Sequence, residues 1–412
     1  MQSRRVSATS LGVGYRAVLQ VRGMRSVFLA HAVSMAGTVA AQVALSILVF
    51  ERTGSSLLSA LVLVCSFLPY AVGGVALSSV SDRFPARRVL VCCDLVSAAC
   101  IAAMLVPGLP VGALLGLLLL TGIVAPVFAG ARAASLAQLL EVELFPVGRS
   151  LLRAIAQVTV LAGFAVGAVA VAAVGPSWLL AVDVVTFVAS AVLIKFGTPY
   201  TPAVGSTGST WQDSLAGLRY LRSNVPLRRL VLLSWVVPAF SSMPDGLAVA
   251  YAVQTGAAAS AAGALFVGYS VGGILGELAA ARLSPRTRRR LVLPLILLSQ
   301  TPAIAFIAEP SIPTAAILLA ISGSGYAFNQ GIDPLVLQAT DPAYRGRLFT
   351  VQTSGLMAIQ GLGIALAGAV GTLLRPSLTI TLAGLVGTTV TLLVARRALG
   401  QVRRSTERSG ER

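Results

Sequence analysis

Long apolar runs separated by short polar turns repeat along the whole chain. The runs fall at about 27–50, 57–80, 89–107, 111–131, 151–174 and 178–196 in the first half. In the second half they fall at about 230–252, 257–280, 291–308, 312–338, 348–374 and 377–395. A run of roughly 18 apolar residues is long enough to cross the hydrocarbon core of a bilayer as a helix. The pattern therefore predicts an all-α membrane protein with twelve transmembrane helices. The first run is too long for a signal-peptide core, so a first span behind a basic tail is expected.

The polar stretch 197–227 divides the spans six and six. It holds Thr198, Pro199, Thr201, Pro202, Ser206 and Gly208, then an amphipathic piece from Trp211 to Arg222. The expected organisation is an N-tail at 1–26, a six-helix bundle at 27–197 and a linker at 198–229. A second six-helix bundle at 230–395 and a C-tail at 396–412 complete it. A weak repeat supports the division. Ser81–Leu90 after the second span and Ala281–Val292 after the eighth are both short, Pro-containing, Arg-rich turns. Parallel repeats of this kind are a transporter architecture.

Composition agrees. The 412 residues are 56% hydrophobic and 11% charged, with a mean hydropathy of +0.87. A soluble domain carries about 25% charged residues, so this chain cannot cover a globular surface in water. The net charge of +17 comes almost wholly from arginine, Lys195 being the single lysine. Those arginines fall in alternate turns, beginning with the N-tail, which places both termini and the linker on the cytoplasmic side of the cell membrane. Arg52 and Arg375 break the alternation. Basic residues confined to such turns, without interleaved aromatics, argue against nucleic-acid binding. The four cysteines sit in or beside apolar runs and lack metal-ligand spacing with His31, the single histidine. Neither a metal nor a cofactor is expected.

The residues after the second span resemble the signature of the major facilitator superfamily, Gly-x-x-x-Asp-Arg-x-Gly-Arg-Arg. Here it stands as Ser78-x-x-x-Asp82-Arg83-Phe84-Pro85-Ala86-Arg87-Arg88. The Asp-Arg core and the paired arginines match; Ser78 and Pro85 replace the glycines. Ala131-Arg132-Ala133-Ala134-Ser135-Leu136 and Arg345-Gly346-Arg347 also look like this superfamily, most like its twelve-span bacterial drug and siderophore exporters. Gly73 and Gly74 in span two, and Gly355, Gly361, Gly363 and Gly368 in span eleven, fit close packing of those two helices. Gly163 and Gly167 in span five resemble an exporter motif whose proline is here Phe164 and whose last glycine is Ala168.

The resemblance implies a gate. Asp82 can accept from Arg87 or Arg88, or face the positive N-terminus of span eleven near Arg345 and Arg347. That contact would hold the cytoplasmic side shut. Arg83 belongs to the same loop.

Ionisable groups in spans are costly and usually functional. Asp94, Asp183, Asp245 and His31 are candidate proton or cation sites, with Glu277 and Asp333 near inner ends as expected interfacial ion pairs. None is placed at the midplane by the spans above, and His31 has no visible partner. Gln42, Gln157, Asn329 and Gln330 are candidate uncharged liners of a largely apolar cavity. Such a cavity suits a small hydrophobic or amphipathic substrate.

The favoured function is proton-coupled export by alternating access, because no nucleotide-binding motif occurs. Import or flipping of a lipid-like or siderophore-like molecule is the alternative. A sensor or membrane enzyme is a third, for which no paired carboxylates or Ser-His constellation speaks. The bilayer and a small molecule are the expected partners, and a monomer the expected state.

Overall fold

The computed structural model describes residues 16–76, 84–141, 144–200, 210–341 and 344–410. The long helices described in the first half are α1 (Met24–Thr53), α2 (Ser56–Ala76), α3 (Ala86–Met104), α4 (Val111–Leu139), α5 (Phe145–Val174) and α6 (Pro176–Gly197). The short α7 (Thr210–Ser223) lies in the linker. In the second half α8 (Val225–Ser241) and α9 (Met243–Gln254) make one interrupted rod, followed by α10 (Ala262–Ala281). Then come α11 (Pro285–Gln300), prolonged by a 3-10 stretch Thr301–Ala308, and α12 (Ile312–Ser324), joined to α13 (Asn329–Gln338) by a 3-10 segment Gly325–Phe328. The last rods are α14 (Arg345–Val370) and α15 (Pro376–Gly410).

Ten stretches among the described residues are long and apolar enough to cross a membrane. The rods α2 and α3 complete two bundles of six. The apolar runs locate every rod, but the helices outlast them. Thus α4 continues to Leu139 and α5 starts at Phe145. The second bundle opens at Val225, inside the expected linker. Polar residues at span ends keep helical hydrogen bonds while their side chains reach water, so hydropathy alone truncates the rod.

Several prolines sit where a missing N–H costs nothing. Pro176, Pro226, Pro244, Pro285 and Pro376 all lie in first turns of helices. Gly54 and Gly175, with φ of +64° and +80°, end α1 and α5 in conformations that side chains resist.

Successive rods run antiparallel. Among the described residues the turns with Arg87, Arg88 and Arg289 lie at one end of the molecule, the basic face, and the short turns lie at the opposite, far face. There the two exceptional arginines find partners. Arg52 donates to the Leu109 carbonyl at 3.1 Å. Arg375 pairs with Glu309 at 3.6 Å, and Glu309 also accepts from Gln254 at 2.9 Å. Both arginines thus tie far-face turns together.

Among the described residues an apolar core joins the two bundles. Val43, Ala44, Ile47, Ala60, Leu63 and Val64 of the first half pack with Leu247, Tyr251, Phe266, Ile364 and Ala367 of the second. Ser56 Oγ donates to the Gly368 carbonyl at 3.0 Å, and Phe164 stacks on Phe266 at 4.9 Å and 11°. These groups lie toward the far face, which they seal. The remaining clusters each stay within one half of the chain.

The glycines refine the expected packing. Gly361 and Gly368 face Phe67, Leu57 and Ala60 of α2. Gly363 instead meets Ala239 of α8, and Gly355 meets Trp235, because residues two apart on a helix point to different neighbours. Gly163 and Gly167 abut Val39 and Ala40 of α1. Gly73 and Gly74 lie within α2, but their surroundings fall outside the described residues.

Replacing Gly368 by Leu drives a side chain into Ser56, Leu57 and Ala60. The far-face seal should then loosen. A cysteine at position 56 is expected to react faster with a membrane-impermeant thiol reagent in Gly368→Leu than without it. Equal rates would mean that the contact does not hold the seal.

Candidate functional site

A cavity of about 270 Å³ lies within the first bundle, among α1, α2, α3, α4 and α6. Its polar lining includes His31, Gln42, Asp94, Arg132 and Asp183, and its apolar lining includes Met35, Leu118 and Phe187.

Each polar group is held by a different helix. Arg132 of α4 donates from Nη1 to His31 Nδ1 of α1 at 2.5 Å. A guanidinium only donates, so Nδ1 accepts and the imidazole is neutral. The lone histidine therefore has a partner, and Arg132 is no loop residue. It lies two turns inside α4, which runs on to Leu139.

Asp94 is the ninth residue of the 19-residue α3, halfway along its rod and deeper than the apolar run implied. It is 1% exposed. Its Oδ2 accepts from Ser190 of α6 at 2.6 Å, and its Oδ1 has no hydrogen bond. Asp94 is thus held by a buried hydroxyl contact, with Arg132 near enough to act on it electrostatically.

Asp183 of α6 is fully buried. Thr186, one turn on, donates to Oδ1 at 3.1 Å, while Oδ2 has no hydrogen bond. Both side chains press on the backbone of α1 at Gly37, where a Cβ would collide with them. Gln42 of α1 donates to Ser66 of α2 at 2.7 Å.

The other candidates lie elsewhere. Asp245 is in the first turn of α9, partly buried and outside this cavity. Asn329 donates to the Tyr326 carbonyl at 3.1 Å. Gln330 donates to the Glu277 carbonyl at 2.9 Å and to the Glu277 carboxylate, so Glu277 is engaged between helices rather than with a loop arginine. Gln330 thus lines the α10–α13 contact, Asn329 turns back on its own rod, and neither is among the lining residues of the polar cavity. The Gln157 side chain lies outside the described residues.

Of the expected gating loop, Asp82 and Arg83 lie outside the described residues, as do the side chains of Arg345 and Arg347 at the start of α14. Arg87 donates to the Thr198 carbonyl at 3.2 Å, and Arg88 covers the Tyr200 ring at 5.6 Å. Both arginines thus hold the start of the linker to the first bundle. At the linker's other end Tyr220 of α7 stacks on Tyr344 at 4.4 Å and accepts from the Asp341 N–H at 3.0 Å. Sequence reasoning missed this anchor; the amphipathic run from Trp211 to Arg222 was its only signal.

A model of the Major Facilitator Superfamily matches residues 27–251. The chain belongs to this superfamily. A sequence search of curated proteins finds no match. Among solved structures the chain is similar to an inward-facing bacterial homologue of the human lysosomal transporter Spinster. That likeness has a TM-score of 0.68 and 13% identity, over 92% of this chain and 97% of that one. It is similar to the nucleoside transporter NupG, with a TM-score of 0.69 and 14% identity, over 92% and 99%. A POT family transporter in complex with a thioalcohol-conjugated peptide aligns with a TM-score of 0.71 and 9% identity, over 90% and 95%. At these identities the likeness is one of fold.

Ser190→Ala should leave the buried Asp94 carboxylate without its hydroxyl donor. Hydrogen bonds to charged groups contribute about 1.5–3 kcal/mol, and a stability loss of that order is expected in thermal denaturation of the purified protein. Gly37→Val should cost about 1–3 kcal/mol by overpacking against Asp183 and Thr186. An unchanged melting temperature in either variant would contradict the packing described.

Proposed function

We propose that this chain is a secondary transporter that exports a small hydrophobic or amphipathic compound by alternating access, driven by protons. The observation that carries this reading is the apolar far-face core that joins the two halves among the described residues. Opening that core while closing the opposite end exposes a central path to each side in turn. A small molecule is the substrate and the bilayer the setting; catalysis of a chemical change forms no part of the reading.

The basic face is taken as cytoplasmic, since basic loops resist translocation. Export is then release through the far-face seal. The Spinster homologue, the nucleoside transporter and the peptide transporter lend this chain their fold and not their ligands. The substrate class is argued instead from the apolar contacts at the bundle interface, which offer little to a sugar or phosphate. The gate proposed at Asp82 acts on the basic face, opposite the seal, and its loss should favour the inward-open state.

In inverted vesicles containing the protein, a proton gradient should drive accumulation of an amphipathic dye. Asp82→Asn should insert normally and slow that accumulation. Dye flux indifferent to the proton gradient would overturn the coupling, and normal flux in Asp82→Asn would overturn the gate.

A further inference from the structure

The polar cavity of the first bundle does not balance its charge. Arg132 brings one positive charge, and Asp94 and Asp183 bring two negative ones. His31 is neutral, because its Nδ1 accepts from Arg132. Among the described lining residues one negative charge is left over, in a site walled by Leu118, Met35 and Phe187. An uncompensated buried charge is among the costliest arrangements a protein can hold.

The two carboxylates are not equivalent. Asp94 has the Ser190 hydroxyl at 2.6 Å and the field of Arg132. Asp183 has the Thr186 hydroxyl, and its Oδ2 is buried with no hydrogen bond. The groups that share its cavity or touch it can be named from each helix packed on α6. From α1 come Gly37, Thr38, Gln42 and neutral His31; from α3 comes Asp94. From α5 no titratable side chain is among the described residues. Arg132 of α4 shares the cavity and sits against His31.

Resting on the transporter reading, we propose that Asp183 loads one monovalent cation from water, a proton or a sodium ion, into this cavity within the first bundle. The two share one chemistry: a single positive charge delivered to a carboxylate. A proton would sit on Oδ2. A sodium ion would take oxygen from Asp183 and Thr186, with Gln42, Thr38 and Ser66 lining the same space. The site lies apart from the interface between bundles, yet it touches the helix that builds the seal. Gly37, against which Asp183 packs, is less than two turns from Val43 and Ala44 of the far-face core. Loading therefore acts on the part of α1 that must move when the seal opens.

The test needs no substrate. Melting temperatures of the purified full-length protein are measured from about pH 5 to about pH 8 in choline chloride. They are measured again at fixed pH with sodium replacing choline. A cation bound by the folded state raises its stability. Relative to wild type, Asp183→Asn should lose the pH-dependent component if the cation is a proton, or the sodium-dependent component if it is sodium. Wild type and Asp183→Asn responding alike in both arms would overturn the proposal. If Asp183→Asn does not fold, Thr186→Val decides: the apparent cation affinity should shift about tenfold, as loss of one hydrogen bond to the site implies. No shift in that variant would overturn it too. Transport without cation-linked stability would place the coupling elsewhere and leave the transporter reading standing. Cation-linked stability without dye flux would sink that reading and not this site.

Discussion

A polar group buried in a lipid-embedded bundle has only its protein neighbours to satisfy it. That constraint organises this molecule from the backbone upward. The chain forms helices because helices bond themselves. Hydroxyls inside the rods fold back onto carbonyls of the preceding turn, as Thr38 does to Ser34 and Thr388 to Gly384. Longer polar side chains reach across to the next helix. Gln300 donates to the Val237 carbonyl at 2.9 Å, and Trp235 donates to the Gln352 carbonyl at 2.8 Å. Where a carboxylate oxygen stays without a hydrogen bond, as at Asp94 and Asp183, the exception itself marks a place to look for function.

The same constraint separates two kinds of contact. Within each bundle the helices are tied by polar links as well as by packing. Between bundles the contact among the described residues is chiefly apolar, with a hydroxyl-to-carbonyl bond from Ser56 to Gly368. Apolar surfaces can part and meet again without stranding polar groups, whereas an interface rich in buried hydrogen bonds cannot. The linker fits this division. Arg87 and Arg88 hold its first residues to one bundle, and Tyr220 holds its helix to the basic-face end of the other.

Apolar runs were enough to find the long rods among the described residues, because lipid tolerates little else. The turns of arginine were equally legible as an alternation. Partnership was not. His31 and Arg132 are 101 residues apart, and nothing local announces their bond. Arg132 looked like a loop residue because the apolar run ends before it while the helix does not. Arg375 and Arg52 looked anomalous until the fold brought Glu309 and the Leu109 carbonyl beside them. The buried depth of Asp94 was hidden for the same reason as Arg132: its helix begins three residues before the run that located it.

The 3-10 winding in the second bundle was also invisible, since Gly325–Phe328 sits inside an unbroken apolar run. It makes the two halves mechanically unlike. A 3-10 turn rises about 2.0 Å per residue where an α-helix rises about 1.5 Å, and it advances about 120° per residue rather than about 100°. Rewinding those four residues as α-helix would shorten the rod by about 2 Å and swing everything beyond it by about 80°. Asn329, Gln330 and Asp333 all lie beyond it. The rod formed by α12 and α13 is thus a torsion element, in which a small change of pitch becomes a large change in which side chains face Glu277.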